Sequence, residues 1–264
     1  IVRANKSTTS SYEGGGGICS GSTGDTMTLI DCEILDNSAI SYGGGGVWAR
    51  GGITVLRCTF SGNKTSDNGA GLLVRGGTGV IQSSTFSGNS ATNNNGGAIY
   101  CQEKNALRIY NSTITTNSAK KIGGGIYLSF NTTNLLLNST IVAGNIDMYT
   151  NLTQDVYGDP LGLANSPFVG ATNCLIQATN GVALPGVNNI YNQSALLEPL
   201  ANNGGLTRTH ALKRKSPAID HGNNPLNLST DQRGAGFPRL LGTAVDIGSY
   251  EFVPLPGATV IIIR

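Results

Sequence analysis

The residues best equipped for chemistry lie near the end of the chain. Acids, a histidine and an arginine are interspersed with glycine and proline there: Asp220, His221, Asp231, Arg233, Asp246 and Glu251. Clustered carboxylates beside a basic group could perform acid–base catalysis, as in polysaccharide lyases and hydrolases. The same residue types also form Asp–Arg networks that hold irregular segments together. We favour a structural network of Asp220, Asp231, Arg233, Asp246 and Glu251, and predict no catalytic residue.

Metal and cofactor sites are not predicted. Asp31, Glu33 and Asp36 are close in sequence, but their acidic character does not recur in later repeats, which indicates a surface cluster. His210 and His221 have no evident third ligand. No Cys-x-x-Cys spacing suggests zinc either.

Composition restricts the partners. The 264 residues carry a net charge of +2, and only 12% of them are charged. A balance this close to neutral predicts no nucleic-acid partner. No run of 18 apolar residues is present, so no transmembrane helix is predicted.

The candidate residues near the C-terminus follow a repeating sequence, which must form the scaffold that positions them. One recurring column is all apolar, and it consists of Ile34, Phe60, Phe86, Ile114 and Ile141. The residues just before it are polar: Glu33, Thr59, Thr85, Thr113 and Thr140. One place earlier again stand Cys32, Cys58, Ser84, Ser112 and Ser139. This alternation predicts a strand with one buried face, on which the apolar column and Cys32 and Cys58 point inward.

A second apolar column precedes the first at an odd offset, so a corner must separate them. Its members are Leu29, Val55, Ile81, Ile109 and Leu136. Asparagines end the first strand of each unit, because asparagine tolerates left-handed backbone and its amide can bond along a stack; they are Asn37, Asn63, Asn89, Asn117 and, after a one-residue slip, Asn145. Short units that cannot bury their apolar sides alone stack as a solenoid. We predict an all-β, right-handed parallel β-helix with an irregular C-terminal cap.

The expected organisation has three parts: repeats over 1–147, looser coils with an insertion over 148–199, and the cap with a terminal strand over 200–264. The run Val260, Ile261, Ile262 and Ile263 is β-branched and is predicted to be an assembly strand. The chain opens at Ile1 without signal-peptide features, so we expect a removed signal peptide or a piece of a longer product.

Cys32 and Cys58 occupy equivalent positions on adjacent coils. Backbones about 4.8 Å apart lie near the short end of the range that a disulfide allows. Buried free thiols are favoured, because cysteine packs as a small hydrophobe, and a disulfide is the alternative.

Four phrases near the C-terminus carry a family resemblance: PLANNGGLTRTHAL, SPAIDHGNN, TDQRG and DIGSYE. With them, the chain resembles bacterial secreted right-handed parallel β-helix proteins that end in a choice-of-anchor domain. The Gly-Gly-Ala/Gly-Ile and Phe-x-x-Asn phrases are similar to repeats of polymorphic outer membrane proteins. The resemblance covers residues 14–251. It implies export and display at the cell surface, and no settled catalytic activity.

Three functional classes remain open. The favoured one is a non-catalytic extracellular or cell-surface structural or adhesive protein, whose partners are its own copies, joined head to tail in a filament, or other surface components. A carbohydrate-active β-helix enzyme is the first alternative. A passive binding module for glycan or ice is the second, because regular Thr-x-Ser/Thr pairs on an exposed face resemble ice-binding surfaces.

Overall fold

The computed structural model describes residues 1–8, 14–41, 43–102, 106–129, 134–158, 168–179 and 184–254. Every regular element in those ranges is a β-strand. Most strands belong to four parallel sheets that run the length of a solenoid, and each coil adds one strand to each sheet. The predicted all-β solenoid architecture is confirmed.

The first sheet, here called the covered sheet, contains the predicted Phe60 column. Its strands are β1 Val2–Arg3, β5 Glu33–Leu35, β9 Thr59–Ser61, β13 Thr85–Ser87, β17 Thr113–Thr115, β21 Ile141–Ala143, β26 Leu175–Ile176 and β27 Ile190–Tyr191. The next, the narrow sheet, consists of two-residue strands: β2 Lys6–Ser7, β6 Ser38–Ala39, β10 Lys64–Thr65, β14 Ser90–Ala91, β18 Ser118–Ala119, β22 Ile146–Asp147 and the antiparallel β23 Leu152–Thr153.

The third sheet, the aromatic sheet, follows the glycine clusters. Its strands are β3 Ile18–Cys19, β7 Val47–Ala49, β11 Leu72–Val74, β15 Ile99–Cys101, β19 Ile126–Leu128 and β24 Val156–Gly158. The fourth sheet, the open sheet, has the longest strands of the four sheets. They are β4 Thr26–Ile30, β8 Gly52–Leu56, β12 Thr78–Gln82, β16 Ala106–Tyr110, β20 Asn134–Asn138 and β25 Phe168–Thr172.

One continuous apolar core fills the solenoid. Phe60 and Phe86 pair in register and stack with ring centroids 4.4 Å apart and planes 7° from parallel. Both are fully buried, as are Ile34 and Ile114 in the same column. Their stacking follows from the fold, because parallel in-register strands place equivalent side chains directly above one another.

The predicted register is wrong by one residue in the fifth coil. Ile114 pairs with Val142, and Ile141 pairs with Thr113. The phrase Asn-Ser-Thr-Ile occurs at both 111–114 and 138–141, and matching its letters shortens the coil by one residue. The same shift moves the second apolar column from Leu136 to Leu137, which is buried.

The corner asparagines form a continuous ladder through the buried interior. The backbone N–H and the Nδ2 of each one donate to the Oδ1 of the asparagine on the next coil, at 2.8–3.1 Å, from Asn37 to Asn145. The left-handed backbone lies one residue earlier than predicted, at Asp36, Gly62, Gly88, Thr116 and Gly144. Each amide thus satisfies a main-chain donor that would otherwise be buried unpaired.

An aspartate ends this ladder. Asp155 Oδ1 accepts from the backbone N–H and the Nδ2 of Asn145, at 3.0 and 2.8 Å, and its Oδ2 accepts from Ala178 N. Burial raises the pKa of Asp155 to about 7, against these hydrogen bonds, which favour the charged form.

The C-terminal segment, residues 197–254, does not close the end of the stack as a cap would. It begins with an antiparallel hairpin of β28 Leu197–Ala201 and β29 Thr209–Leu212 and continues irregularly. It lies along the outer side of the covered sheet, from Glu33 on β5 to Ile141 on β21. The expected end cap is therefore a lateral cover, which also explains why the outward-pointing Ile141 is fully buried.

Two expectations about the surfaces have different outcomes. The threonine face is not exposed, since Thr59, Thr85 and Thr113 lie under the C-terminal segment, and this contradicts an ice-binding face there. The predicted assembly strand at 260–263 lies outside the described residues. In the ranges that the structure describes, no helix is long and apolar enough to cross a membrane.

We predict that Phe86→Ala lowers the free energy of unfolding by about 3–5 kcal/mol, through lost burial and a cavity between coils. Chemical denaturation would measure it. Tyr149→Ala is the control, since that ring is 82% exposed, and it should change stability by less than about 0.5 kcal/mol. Equal effects of the two substitutions would contradict the stacked core.

Asp155 should make stability depend on pH. Because its pKa is higher in the folded state, the folded protein binds the proton more tightly, so its contribution is fullest below pH 4 and is lost as pH rises through about 7. The total loss is on the order of 4 kcal/mol. Asp155→Asn cannot titrate yet keeps an oxygen for Asn145.

The measurement is denaturant unfolding at a series of pH values between 4 and 8. The stability of wild type relative to Asp155→Asn should decline across that range. Thr23→Ala, at an exposed residue without an ionisable group, should leave the wild-type profile unchanged. Parallel profiles for wild type and Asp155→Asn would show that the ladder carboxyl titrates normally.

Candidate functional site

Threonines of the covered sheet bind the C-terminal segment directly. Thr59 Oγ1 donates to Arg208 O at 2.6 Å, and Thr85 Oγ1 donates to Gln232 Oε1 at 2.6 Å. Thr113 Oγ1 accepts from the backbone N–H of Ser249 at 3.1 Å. One outward residue on each of three successive coils therefore contacts a different part of the segment.

Gln232 is the most connected residue in this contact, and the sequence analysis missed it. Its Nε2 lies 3.0–3.2 Å from four acceptors: the carbonyl oxygens of Cys58 and Arg208 and the hydroxyls of Thr59 and Thr207. A buried amide with partners on both sides fixes the segment against the sheet. Its place in the phrase TDQRG, between two predicted network residues, was the available signal.

The predicted Asp–Arg network is assembled around Asp231. Asp231 Oδ2 lies 2.6 Å from Arg233 Nη2, and both side chains are almost wholly buried. The same carboxylate accepts from the backbone N–H groups of Arg233 and Glu251, each at 2.8 Å. Arg233 in turn donates to Glu251 O at 2.8 Å. The Asp231–Arg233 ion pair thus binds the backbone of Glu251, which lies 18 to 20 residues further along the chain.

Asp246 and Glu251 hold further backbone in the same way. Asp246 Oδ1 accepts from Asp220 N at 2.8 Å, and Asp246 Oδ2 accepts from Phe252 N at 2.6 Å. Glu251 Oε2 accepts from Asp246 N at 3.1 Å, and Glu251 Oε1 from Leu241 N at 3.4 Å. Every carboxylate oxygen of Asp231, Asp246 and Glu251 therefore accepts a main-chain N–H.

Arginines complete the network from two sides. The Arg233 guanidinium lies between the rings of Phe237 and Tyr250, 4.2 and 3.8 Å from their centroids. Such cation–π contacts strengthen when water is excluded. Arg239, which the sequence analysis did not identify, is 1% exposed and donates to Asp246 O at 2.6 Å. Its Nη1 lies 3.8 Å from Glu251 Oε2.

Burial perturbs the acids of this network. It raises the pKa of Glu251 to about 7, with the nearby Asp246 adding to the rise. The pKa of Asp246 is also raised, mainly by burial. Perturbed carboxyls are common at active sites, but they also occur where ion pairs are structural.

A groove of about 620 Å³ lies beside the network, between the solenoid corner and the C-terminal segment. Asp31 and Arg57 line it as a bidentate pair, with Arg57 Nε and Nη2 lying 2.6 and 2.7 Å from the two carboxylate oxygens. The remainder is lined by residues of the C-terminal segment: Gly204, Gly205, Leu206, Thr230, Arg233, Gly234 and Ala235. Glu33, which is close to Asp31 in sequence, instead forms an ion pair with Arg208, whose Nε lies 3.0 Å from Glu33 Oε1.

The histidines occupy separate places. His210 is buried, with Nδ1 2.7 Å from Glu198 O and Nε2 2.9 Å from Ser87 Oγ, and burial lowers its pKa. His221 is exposed beside Asp220. No three His, Cys, Asp or Glu side chains converge as metal ligands in the described part of the chain.

The two equivalent cysteines are both free thiols. Cys58 is fully buried, whereas Cys32 is half-buried near the N-terminal end of the stack. Cys58 Sγ accepts from Cys32 N at 3.4 Å, and burial raises the pKa of the Cys58 thiol to about 12. A thiol that resists ionisation in this way is a packing group and a poor nucleophile.

Arg233→Ala should lower the free energy of unfolding by about 3–5 kcal/mol, because it leaves Asp231 buried without a counter-charge. Arg208→Ala removes an ion pair at the rim, where the arginine is 36% exposed, and should cost less than about 1 kcal/mol. Urea unfolding of both variants would measure the difference. A small effect of Arg233→Ala would contradict the structural role of the network.

Comparisons with known proteins agree with this architecture. Residues 16–194 match the family described as "Right handed beta helix region". A search of curated proteins finds no match. The match covers more than half of the chain and ends just before the C-terminal segment. The chain therefore belongs to the right-handed β-helix family.

Proposed function

We propose that this protein is a non-catalytic structural or adhesive β-helix protein of the cell surface or extracellular space. The observation that carries the proposal is the use of the buried carboxylates. All six oxygens of Asp231, Asp246 and Glu251 accept main-chain N–H groups. A catalytic carboxylate must instead face a substrate.

The family resemblance supports a bacterial source, secretion and a choice-of-anchor role for the C-terminal segment. Its four phrases supply the hairpin and the network: the first contains β29, and the last three contain Asp220, Asp231, Asp246 and Glu251. The acids of these phrases hold the segment's own backbone together, and Arg208, Gln232 and Ser249 in the same phrases bind it to the solenoid. This is a structural use of the phrases, which agrees with the absence of a settled activity in the family.

Head-to-tail assembly is the second part of the proposal. At the N-terminal end, β1 pairs with β5 on one side only, and Val2, Ile18 and Met27 at the edge of the core are only partly buried. Open strand edges accept a further strand from another chain. The β-branched residues 260–263 are the proposed donor, which would give a heterologous contact and hence a filament.

A carbohydrate-active enzyme is the alternative, and the groove favours it. Asp31, Arg57 and Arg233 place a carboxylate and two guanidinium cations along a concave surface beside the solenoid. Two of these three side chains are paired with each other and the third with Asp231, which leaves fewer free groups than proton transfer requires.

Deletion of residues 257–264 tests the assembly, with size exclusion and electron microscopy as the readout. The full chain should form filaments. The deletion variant keeps the accepting edge but lacks the donor strand, so it should stay monomeric. Mixed with the full chain, it should shorten the filaments that the full chain forms. A full chain that stays monomeric at high concentration, or a deletion variant with the same fibres, would refute assembly through this strand.

The same preparations should release no new reducing ends or unsaturated sugars from a polysaccharide panel. Turnover by the wild type that disappears in Asp31→Asn or Asp220→Asn, at unchanged stability, would establish the enzyme alternative.

A further inference from the structure

The outer side of the narrow sheet concentrates positive charge. Lys6 and Lys64 lie in one outward column, in which Lys6 aligns with Ser38 and Ser38 with Lys64. Lys120 lies in the next outward column, two residues beyond Ser118, and Lys121 follows it. All four lysines are exposed. We call the surface formed by these four lysines the basic face.

Few acids of the described residues oppose these lysines. Asp36 on the neighbouring corner pairs with Arg3 at 3.3 Å. Asp67 accepts from the amides of Asn68 and Asn94. Among the described residues, the four lysines therefore outnumber the acids on this face.

The basic face has a regular spacing. Coils are about 4.8 Å apart, so Lys6 and Lys64, two coils apart, are separated by roughly 10 Å. Lys120 is two coils further along and one outward column to the side, roughly 12 Å from Lys64. The surface between the lysines carries hydroxyls from Ser38, Ser66, Ser90, Thr92 and Ser118. Those of Ser66, Thr92 and Ser118 donate to Ile40 O, Thr65 O and Ser90 Oγ, so they offer a ligand their oxygens as acceptors. Cations at this interval, separated by hydroxyl oxygens that can accept hydrogen bonds from sugar hydroxyls, match an extended sugar chain with one negative charge on every second sugar.

We infer that the basic face binds a linear acidic polysaccharide with carboxylates on alternate sugars, aligned with the solenoid axis. The inference rests on the proposed adhesive function and names its partner. Each lysine contacts one carboxylate, and the hydroxyls bond to the uncharged sugar between. Exposed charge contacts are individually weak, so affinity comes from several along the axis and decreases with salt.

The test uses hyaluronan oligosaccharides as the charged probe and dextran as the neutral one, with binding measured by calorimetry at several NaCl concentrations. Wild type should bind hyaluronan and not dextran. The triple variant Lys6→Gln, Lys64→Gln, Lys120→Gln should bind roughly tenfold or more weakly, with a shallower salt dependence.

The control triple variant Lys213→Gln, Arg214→Gln, Lys215→Gln removes the same charge from exposed positions elsewhere and should keep wild-type affinity. Equal losses in the two triple variants would reduce the effect to net charge and overturn the inference. The inference would also be overturned if the wild type did not bind hyaluronan, or if it bound single-stranded DNA of equal charge more tightly.

Cleavage of the probe, detected as new reducing ends, would refute the non-catalytic function and leave the location of binding to be decided by the two triple variants. A wild type that forms filaments but does not bind hyaluronan would refute the inference about the basic face and leave the proposed function standing.

Discussion

The structure depends on parallel, in-register pairing between successive coils. Once Ile34, Phe60, Phe86 and Ile114 are aligned, every other position of the coil is aligned as well, including the corner that carries the asparagines. The alignment converts single interactions into columns. A phenylalanine stacks on a phenylalanine, and an amide bonds to an amide, because the backbone gives each the same position one coil later. Each column in turn opposes a slip of the backbone.

The covered sheet shows how the outer side of such a stack acquires a specific partner. Polar side chains that would otherwise face water present one hydroxyl per coil, and the C-terminal segment supplies matching groups through Arg208, Gln232 and Ser249. The segment has little regular structure of its own. Its shape comes instead from buried carboxylates that bind main-chain N–H groups, supported by Arg233 and Arg239. Its order therefore depends on satisfied charges as well as on the apolar packing of Leu212, Ala218 and Ile247 against the sheet.

Local periodicity was sufficient to predict the coils. Alternation within a strand identified the Phe60 and Phe86 column, and turn chemistry identified the asparagine corners. The predicted register failed in the fifth coil because a repeated four-residue phrase gave the wrong alignment, which assigned Ile141 to the inner face of its strand. Burial of the threonines could not be predicted, since alternation indicates which side is outward and not what covers it. Thr85 and Gln232 are 147 residues apart, and Asp155 stands ten residues from Asn145, where the repeat would demand a full coil.

The lateral position of the C-terminal segment has a consequence for the length of the solenoid. Coils that present the same surface at both ends can be duplicated or lost without local penalty. Here a single non-repeating segment meets Glu33, Thr59, Thr85, Thr113 and Ile141, one on each of five consecutive strands of the covered sheet. Insertion of one more coil would displace every later contact by about 4.8 Å. The segment thus sets the number of coils between β5 and β21, a number that the repeating contacts alone would leave open.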